Sequence, residues 1–294
     1  MANFKNLAFP EAIKYIDLVS FAIITATRVE VNEVRRSLEA LPGLAHPARV
    51  FKDNYTYFLG RLGKYGVVVV QSRMGAAGAG SSIITTETTI QHWQPKAILM
   101  LGIAFGINSS KQKIGDILIA DKIFPYESKK VKIDNEVIFR APIPLTSQLL
   151  ADRFEEIGED WREDYTHADN QESPSIYRGP LLSGEVLIDD RLYRDKLLDH
   201  FKEAIGGEME ASGIFAASTA RSLPWLVVKA ICDFGDGNKS ENKTAYQARA
   251  IRAVVSLAQT VFDQENIFDG LKVKAIDTHQ NHQSPIAQAS PDPN

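Results

Sequence analysis

An α/β fold is predicted for this chain, and three observations carry the prediction. Uninterrupted apolar runs such as Val19–Ile24 and Trp225–Val228 have the length and composition of strands buried on both faces. Segments with apolar residues at helical spacing alternate with them, as in Val31, Val34, Leu38 and Leu41. The 294 residues, 44% of them apolar, suffice for one large α/β domain or two small ones.

Composition narrows the partners. The net charge is −4, from 33 basic and 37 acidic residues, whereas a nucleic-acid binder is more often basic, so no nucleic-acid partner is expected. Cys232 is the only cysteine, which rules out an intrachain disulfide and fits a reducing, cytoplasmic setting. No apolar run reaches the ~18 residues of a membrane span. The first residues carry scattered charges and no signal-peptide core. A membrane partner is therefore not expected either.

In chain order, residues 1–18 read as an N-terminal extension with a short helix over Glu11–Val19. The catalytic domain is expected over 19–265. It opens on the Val19–Ile24 strand, and the helix after Thr25-Ala26-Thr27 carries Glu30 in its first turn, where an acid complements the helix dipole. Tyr55–Gly60 and Tyr65–Ser72 are predicted strands around a turn. A glycine-rich segment from Ser72 then opens a helix to about Trp93. It lacks the spacing of a phosphate-binding loop, and its small residues are expected to serve close helix–sheet contact. Lys96–Leu101 is a third core strand, running into a turn at Gly102-Ile103-Ala104-Phe105-Gly106. Gly115–Ala120 is another strand, and Lys129 and Lys130 read as a solvated turn. Residues 151–176 read as an inserted surface helix and loop, Arg178–Leu187 as a strand, and Asp190–Phe201 as a helix. The last helix turns Ile251, Val254, Val255, Ala258, Val261 and Phe262 to the core. Residues 266–294 are expected to be a disordered tail on composition. His279 and His282 there lack partners at ligand spacing, so no metal site is expected.

The chain is organised around Ile205–Gly237. Glu208-Met209-Glu210-Ala211 leads into a small-residue helix, Pro224 ends the helical region, and the Trp225–Val228 strand delivers Cys232-Asp233-Phe234-Gly235-Asp236 at its carboxyl end. Ligands in open α/β sheets bind outside the carboxyl ends of strands. Alone, Asp233 would read as a cap for the following turn. Together, Glu208-Met209-Glu210-Ala211 and the strand-ending Asp233 resemble the nucleoside phosphorylase/nucleosidase superfamily, most of all the methylthioadenosine/S-adenosylhomocysteine nucleosidases. The resemblance spans about Phe21 to Phe262. It implies a three-layer nucleoside phosphorylase-like fold with a mixed central sheet flanked by helices, no cofactor, and a homo-oligomer in which a neighbouring chain closes the site.

The resemblance also implies roles. Breaking an N-glycosidic bond passes through an oxocarbenium-like ribosyl cation. Asp233 would protonate the leaving purine as general acid, which requires a raised pKa of the kind burial produces. Glu210 would bind the ribose hydroxyls and stabilise the cation, with Met209 under the sugar. Glu30 would deprotonate the attacking water, a role that phosphorylases lack. Glu208 receives no role from the resemblance. Gly102 and Ile103 would line base and ribose, with Ile103 in place of the serine that helps phosphorylases hold phosphate. Leu187, followed by Ile188, replaces an aromatic that stacks on the purine. Lys229 stands where the nucleosidases have an arginine, and the two are not interchangeable at a bidentate site.

At the 5′ end, Thr27 replaces a methionine and Lys243 a phenylalanine of the family. With Arg28 they make a polar, basic 5′ end that suits a phosphorylated adenine nucleoside such as AMP or ATP. Sequences like Cys232–Asp236 also resemble nucleosidase domains of bacterial antiviral systems, some of which destroy adenine nucleotides. The expected activity is hydrolysis of a purine nucleoside or nucleotide to free base. The alternatives are methylthioadenosine/S-adenosylhomocysteine salvage, phosphorolysis, and a non-enzymatic nucleoside sensor.

Overall fold

The computed structural model describes residues 3–133, 136–165, 173–237, 242–273 and 275–276. The chain begins with β1 (Lys5–Ala8), α1 (Phe9–Ala12) and a 3-10 turn, Ile13–Leu18, and enters β2 (Val19–Thr25), buried along its whole length. α2 (Arg28–Arg36) precedes a meander of β3 (Ala48–Lys52), β4 (Tyr55–Leu62) and β5 (Tyr65–Gln71). After a glycine-rich loop come α3 (Ser82–Trp93), β6 (Ala97–Gly106) and β7 (Ile117–Pro125). A small hairpin, β8 (Lys129–Val131) with β9 (Val137–Phe139), leads to α4 (Gln148–Asp164). There follow β10 (Ile176–Ser183), α5 (Arg191–His200), β11 (Gly206–Glu208), α6 (Ala211–Thr219), β12 (Trp225–Asp233) and α7 (Lys243–Asp263).

The central sheet is mixed, in the order β1-β3-β4-β5-β2-β6-β11-β10-β7-β12. β12 also pairs with β6 in parallel. The β6, β11, β10, β7 and β12 portion therefore closes on itself, while the limb from β2 out to β1 stays open. Side chains alternate across β2: Phe21 and Ile23 enter one core with α2, α4 and α7, while Ala22 and Ile24 enter the other with α3 and α6. This is the predicted mixed sheet flanked by helices. Among the described residues no helix is long and apolar enough to cross a membrane.

Several local expectations are corrected. The N-terminal segment does more than precede the domain: β1 pairs in parallel with β3 at the sheet edge, and the helix expected over Glu11–Val19 is a single α-turn followed by 3-10 geometry. The turn expected at Gly102–Gly106 is the second half of β6, kept extended by its ladders to β12 and β11. The helix expected from the Ser72 segment starts only at Ser82, because Gly75, Gly78 and Gly80 take left-handed φ values that hold the segment as a loop. Leu187 lies beyond the end of β10. The expected insertion contributes α4, which buries Leu150, Phe154 and Trp161 against the main core, since its apolar residues share one face. Lys129 and Lys130 form an exposed strand rather than a turn. The start of the expected tail is also packed: Phe268 is fully buried beside Phe21, Tyr65 and Phe262, and the Ile276 N–H donates to Lys64 O at 2.6 Å. His279, His282 and the rest of the tail from 277 lie outside the described residues.

Candidate active site

Glu30 is placed by the start of α2. Thr27 is the N-cap, its Oγ1 accepts the Glu30 N–H at 3.4 Å, and Glu30 returns its carboxylate to the cap. Oε2 accepts the N–H groups of Ala26 (2.7 Å) and Thr27 (2.6 Å), and Oε1 accepts the Ile103 N–H from β6 at 2.8 Å. The carboxylate is thus fully buried yet hydrogen-bonded. Ile103 takes part through its backbone, which needs no polar side chain. Gly102 beside it is a steric requirement, since a Cβ there would stand 2.5 Å from Glu30 Oε1 and 3.0 Å from Lys229 Nζ.

Glu210 comes from the β11–α6 junction. Its Oε1 accepts the Gly75 N–H at 3.1 Å, and its backbone carbonyl accepts the Ser82 hydroxyl at 2.7 Å. Glu208, left without a role by sequence reasoning, folds over this junction and accepts the N–H groups of Glu210 (2.9 Å) and Ala211 (3.0 Å). It caps α6 and orients the Met209–Glu210 step. Beneath both acids lies Lys229 of β12, completely buried, its Nζ 3.3 Å from Glu210 Oε2 and 3.5 Å from Glu208 Oε2.

One ammonium facing three buried acids sets the electrostatics. Burial pushes Glu30 above the usual carboxylate range; Lys229 opposes that shift and Glu210 adds to it. Burial pushes Glu208 the same way. For Lys229, burial alone would favour the neutral amine, but the charges of Glu210, Glu208 and Glu30 outweigh it and raise the pKa, so the ammonium persists.

Asp233 ends β12 where the register with β6 shifts between Ile231 and Asp233, an irregularity that re-aims the side chain. Its Oδ1 accepts the Gly235 N–H at 2.9 Å, and the Cys232 thiol donates to Oδ2 at 3.3 Å.

Glu30, Glu208, Met209, Glu210 and Asp233 converge on one cavity of about 160 Å³, together with Ile103, Leu187, Ile188 and Lys243. Three expected substrate contacts do not line it. Gly102 and Lys229 lie behind the wall, because their space is taken by the Glu30 and Glu210 carboxylates, and Arg28 turns into a neighbouring cavity. The cavity also includes Met74, Phe105 and Gln247, and Gly75 grips Glu210 from the glycine-rich loop. Sequence reasoning assigned that loop to helix–sheet contact. Its closely spaced glycines were the only signal for a loop whose backbone donors face inward. The arrangement can bind a polyhydroxylated sugar at Glu210, exchange a proton at Asp233 and hold a base at Glu30.

Comparison with known proteins bears on family and fold. A death domain-containing ATP nucleosidase of Amphimedon queenslandica is 28% identical over 239 residues, covering 76% of this chain and 45% of that protein. The chain thus spans less than half of that relative's length. A 5′-methylthioadenosine/S-adenosylhomocysteine nucleosidase of Staphylococcus aureus is 25% identical over 239 residues, covering 81% of this chain and 96% of the relative. In fold, the chain matches the Neisseria meningitidis 5′-methylthioadenosine/S-adenosylhomocysteine nucleosidase solved with methylthio-immucillin-A. The TM-score is 0.68 at 16% identity, over 84% of this chain and 99% of that one. The family model of the phosphorylase superfamily matches residues 20–263, and the chain belongs to that superfamily.

Proposed function

We propose that the protein hydrolyses the N-glycosidic bond of an adenine nucleoside or nucleotide and releases the free base. The observation that carries this reading is Glu30 in the same cavity as Glu210 and Asp233. A buried carboxylate repels a phosphate dianion and activates a water, so the nucleophile is water. As the C1′–N bond breaks, its electron pair passes to the base, and Asp233 supplies the proton that makes the base a neutral leaving group. Glu210 bonds the ribose hydroxyls and offsets the positive charge developing on the sugar. The water oxygen bonds to C1′ and Glu30 takes its proton. Glu208 and Lys229 position Glu210 from behind.

The names of the relatives support adenine as the base. Thr27 and Lys243 on the cavity support a polar 5′ group. Met74 on the same wall favours a second reading, an alkylthio 5′ substituent. A nucleotide-cleaving protein would drain an adenine nucleotide pool, as in the antiviral nucleosidase domains that Cys232–Asp236 resembles. We place it in the cytoplasm as a homo-oligomer; the exposed apolar rim of Met74, Val186 and Leu187 suits coverage by a second copy. Light scattering in solution tests the assembly.

The activity is tested by incubating the protein with adenosine, AMP, ATP and methylthioadenosine, with and without phosphate, and resolving free adenine by chromatography. Phosphate-independent release is expected, reduced ~10²–10⁴-fold in Asp233→Asn without loss of cooperative melting. Release that requires phosphate would make the protein a phosphorylase. No release from any substrate would sink the reading.

A further inference from the structure

A second cavity of about 780 Å³ adjoins the catalytic one, bounded by α2, the β3–β4 hairpin and the glycine-rich loop. Arg28, Arg35, Arg49 and Arg73 line it, and among the described residues no carboxylate does. Among the described residues none of these four guanidiniums forms an ion pair, whereas their neighbours do: Arg36 pairs with Glu33 at 2.8 Å, and Arg61 pairs with Glu39. Arg35 and Arg49 lie 5.3 and 5.9 Å from the centroid of the Phe58 ring, so two like charges share one aromatic partner. Burial, and then the charges of Arg49, Arg28 and Arg36, push Arg35 below its usual range. A bound polyanion would relieve that repulsion.

The groove and the catalytic cavity share a thin wall. Thr27 lines the catalytic cavity and Arg28 the groove; Met74 lines the catalytic cavity and Arg73 the groove. Gln71, on the groove side, donates to the carbonyl of Ala26 on the catalytic side at 3.2 Å. With the base at Asp233 and the ribose at Glu210, a 5′ substituent directed at Thr27 would meet this wall.

We propose that this groove takes the polyphosphate tail of a nucleoside triphosphate whose base and ribose fill the catalytic cavity. Lys243 and Arg28 meet the first phosphate, and Arg73, Arg35 and Arg49 meet the distal ones. The assignment rests on the nucleosidase reading above. Guanidinium forks bind phosphate oxygens in two-point fashion. A monophosphate is too short to engage four of them spread over this volume, and an apolar 5′ group would leave all four uncompensated.

The test compares kcat/KM for ATP, AMP and adenosine in wild type, Arg73→Gln, Arg49→Gln and Arg73→Lys. The wild type is expected to prefer ATP over AMP and adenosine. Each glutamine variant is expected to lower the ATP-to-adenosine ratio about tenfold or more, with part of it restored by Arg73→Lys. Inorganic tripolyphosphate should compete with ATP, and less so in the variants. If Arg49→Gln disturbs Phe58 and fails to melt cooperatively, Arg73→Gln, exposed on its loop, decides the matter alone. An unchanged ratio in folded variants, or equal wild-type use of ATP and adenosine, would overturn the polyphosphate assignment while leaving the nucleosidase reading intact. If no adenine compound is cleaved, the nucleosidase reading falls instead. Calorimetric binding of inorganic tripolyphosphate then decides the groove: binding weakened in Arg73→Gln upholds it, and no binding overturns it.

Discussion

Glu30 combines two positions that a surface glutamate could not. It closes the capping box of α2 and also faces the cavity, held by backbone N–H groups of Ala26, Thr27 and Ile103. Those bonds favour the charged form, but burial dominates and raises the pKa. A base must be deprotonated to act, so activity should be present above the raised pKa and be lost as pH falls through it. The acid limb of the kcat/KM–pH profile should therefore lie above the ~4.3 of an ordinary glutamate. In Glu30→Gln that limb should disappear along with most of the rate; a limb that persists would assign it to another group. Lys229 makes a different prediction. Replacing it by methionine leaves Glu208 and Glu210 buried without their cation. Removing one partner of a buried ionic cluster costs ~3–5 kcal/mol, so urea denaturation of Lys229→Met should show a loss of that size. A loss under ~1 kcal/mol would mean that the acids are held by backbone donors alone.

At the scale of elements, the glycine-rich loop between β5 and α3 ties the site together. Its Gly75 N–H holds Glu210, and the N–H groups of Ala76 (2.7 Å) and Ala77 (3.0 Å) both donate to Glu185 Oε1 from the loop after β10. Gly75 has φ of +91°, and a Cβ there would run into the Glu185 carboxylate. Gly75→Ala should therefore cost ~1–2 kcal/mol in denaturant, from backbone strain alone. It should also lower kcat/KM, because the Glu210 grip loosens. A variant with wild-type stability and kinetics would show that neither the backbone conformation nor the contact matters.

Two large cores, one on each face of the sheet, and a smaller cluster around Phe105 and Tyr126 hold the molecule together, and Phe268, near the end of the described residues, belongs to one of the large cores. Phe268 packs against Phe21, Tyr65 and Phe262, with ring centroids 4.8, 5.1 and 5.2 Å away. Truncating a buried phenylalanine costs ~3–5 kcal/mol. Phe268→Ala should lose about that much in equilibrium denaturation, although it lies in a segment whose composition reads as tail. A near-neutral effect would return that segment to the periphery.

Apolar runs made β2, β5 and β12 legible, because strands buried on both faces leave an uninterrupted signature. Helical spacing did the same for α2 and α7. The acids Glu30, Glu210 and Asp233 were legible through the resemblance their surroundings carry. Tertiary structure decided what depends on distant pairings. The β6–β12 ladder closes half of the sheet and keeps Gly102–Gly106 extended, where local glycine content signals a turn. Lys229 within an apolar strand shows nothing of the acids above it until β11, α6 and β12 pack together. Phe268 is held by aromatic partners from β2, β5 and α7, which composition cannot register. The four groove arginines come from α2, β3 and the loop after β5; singly each reads as ordinary surface, and only folding makes them one uncompensated field.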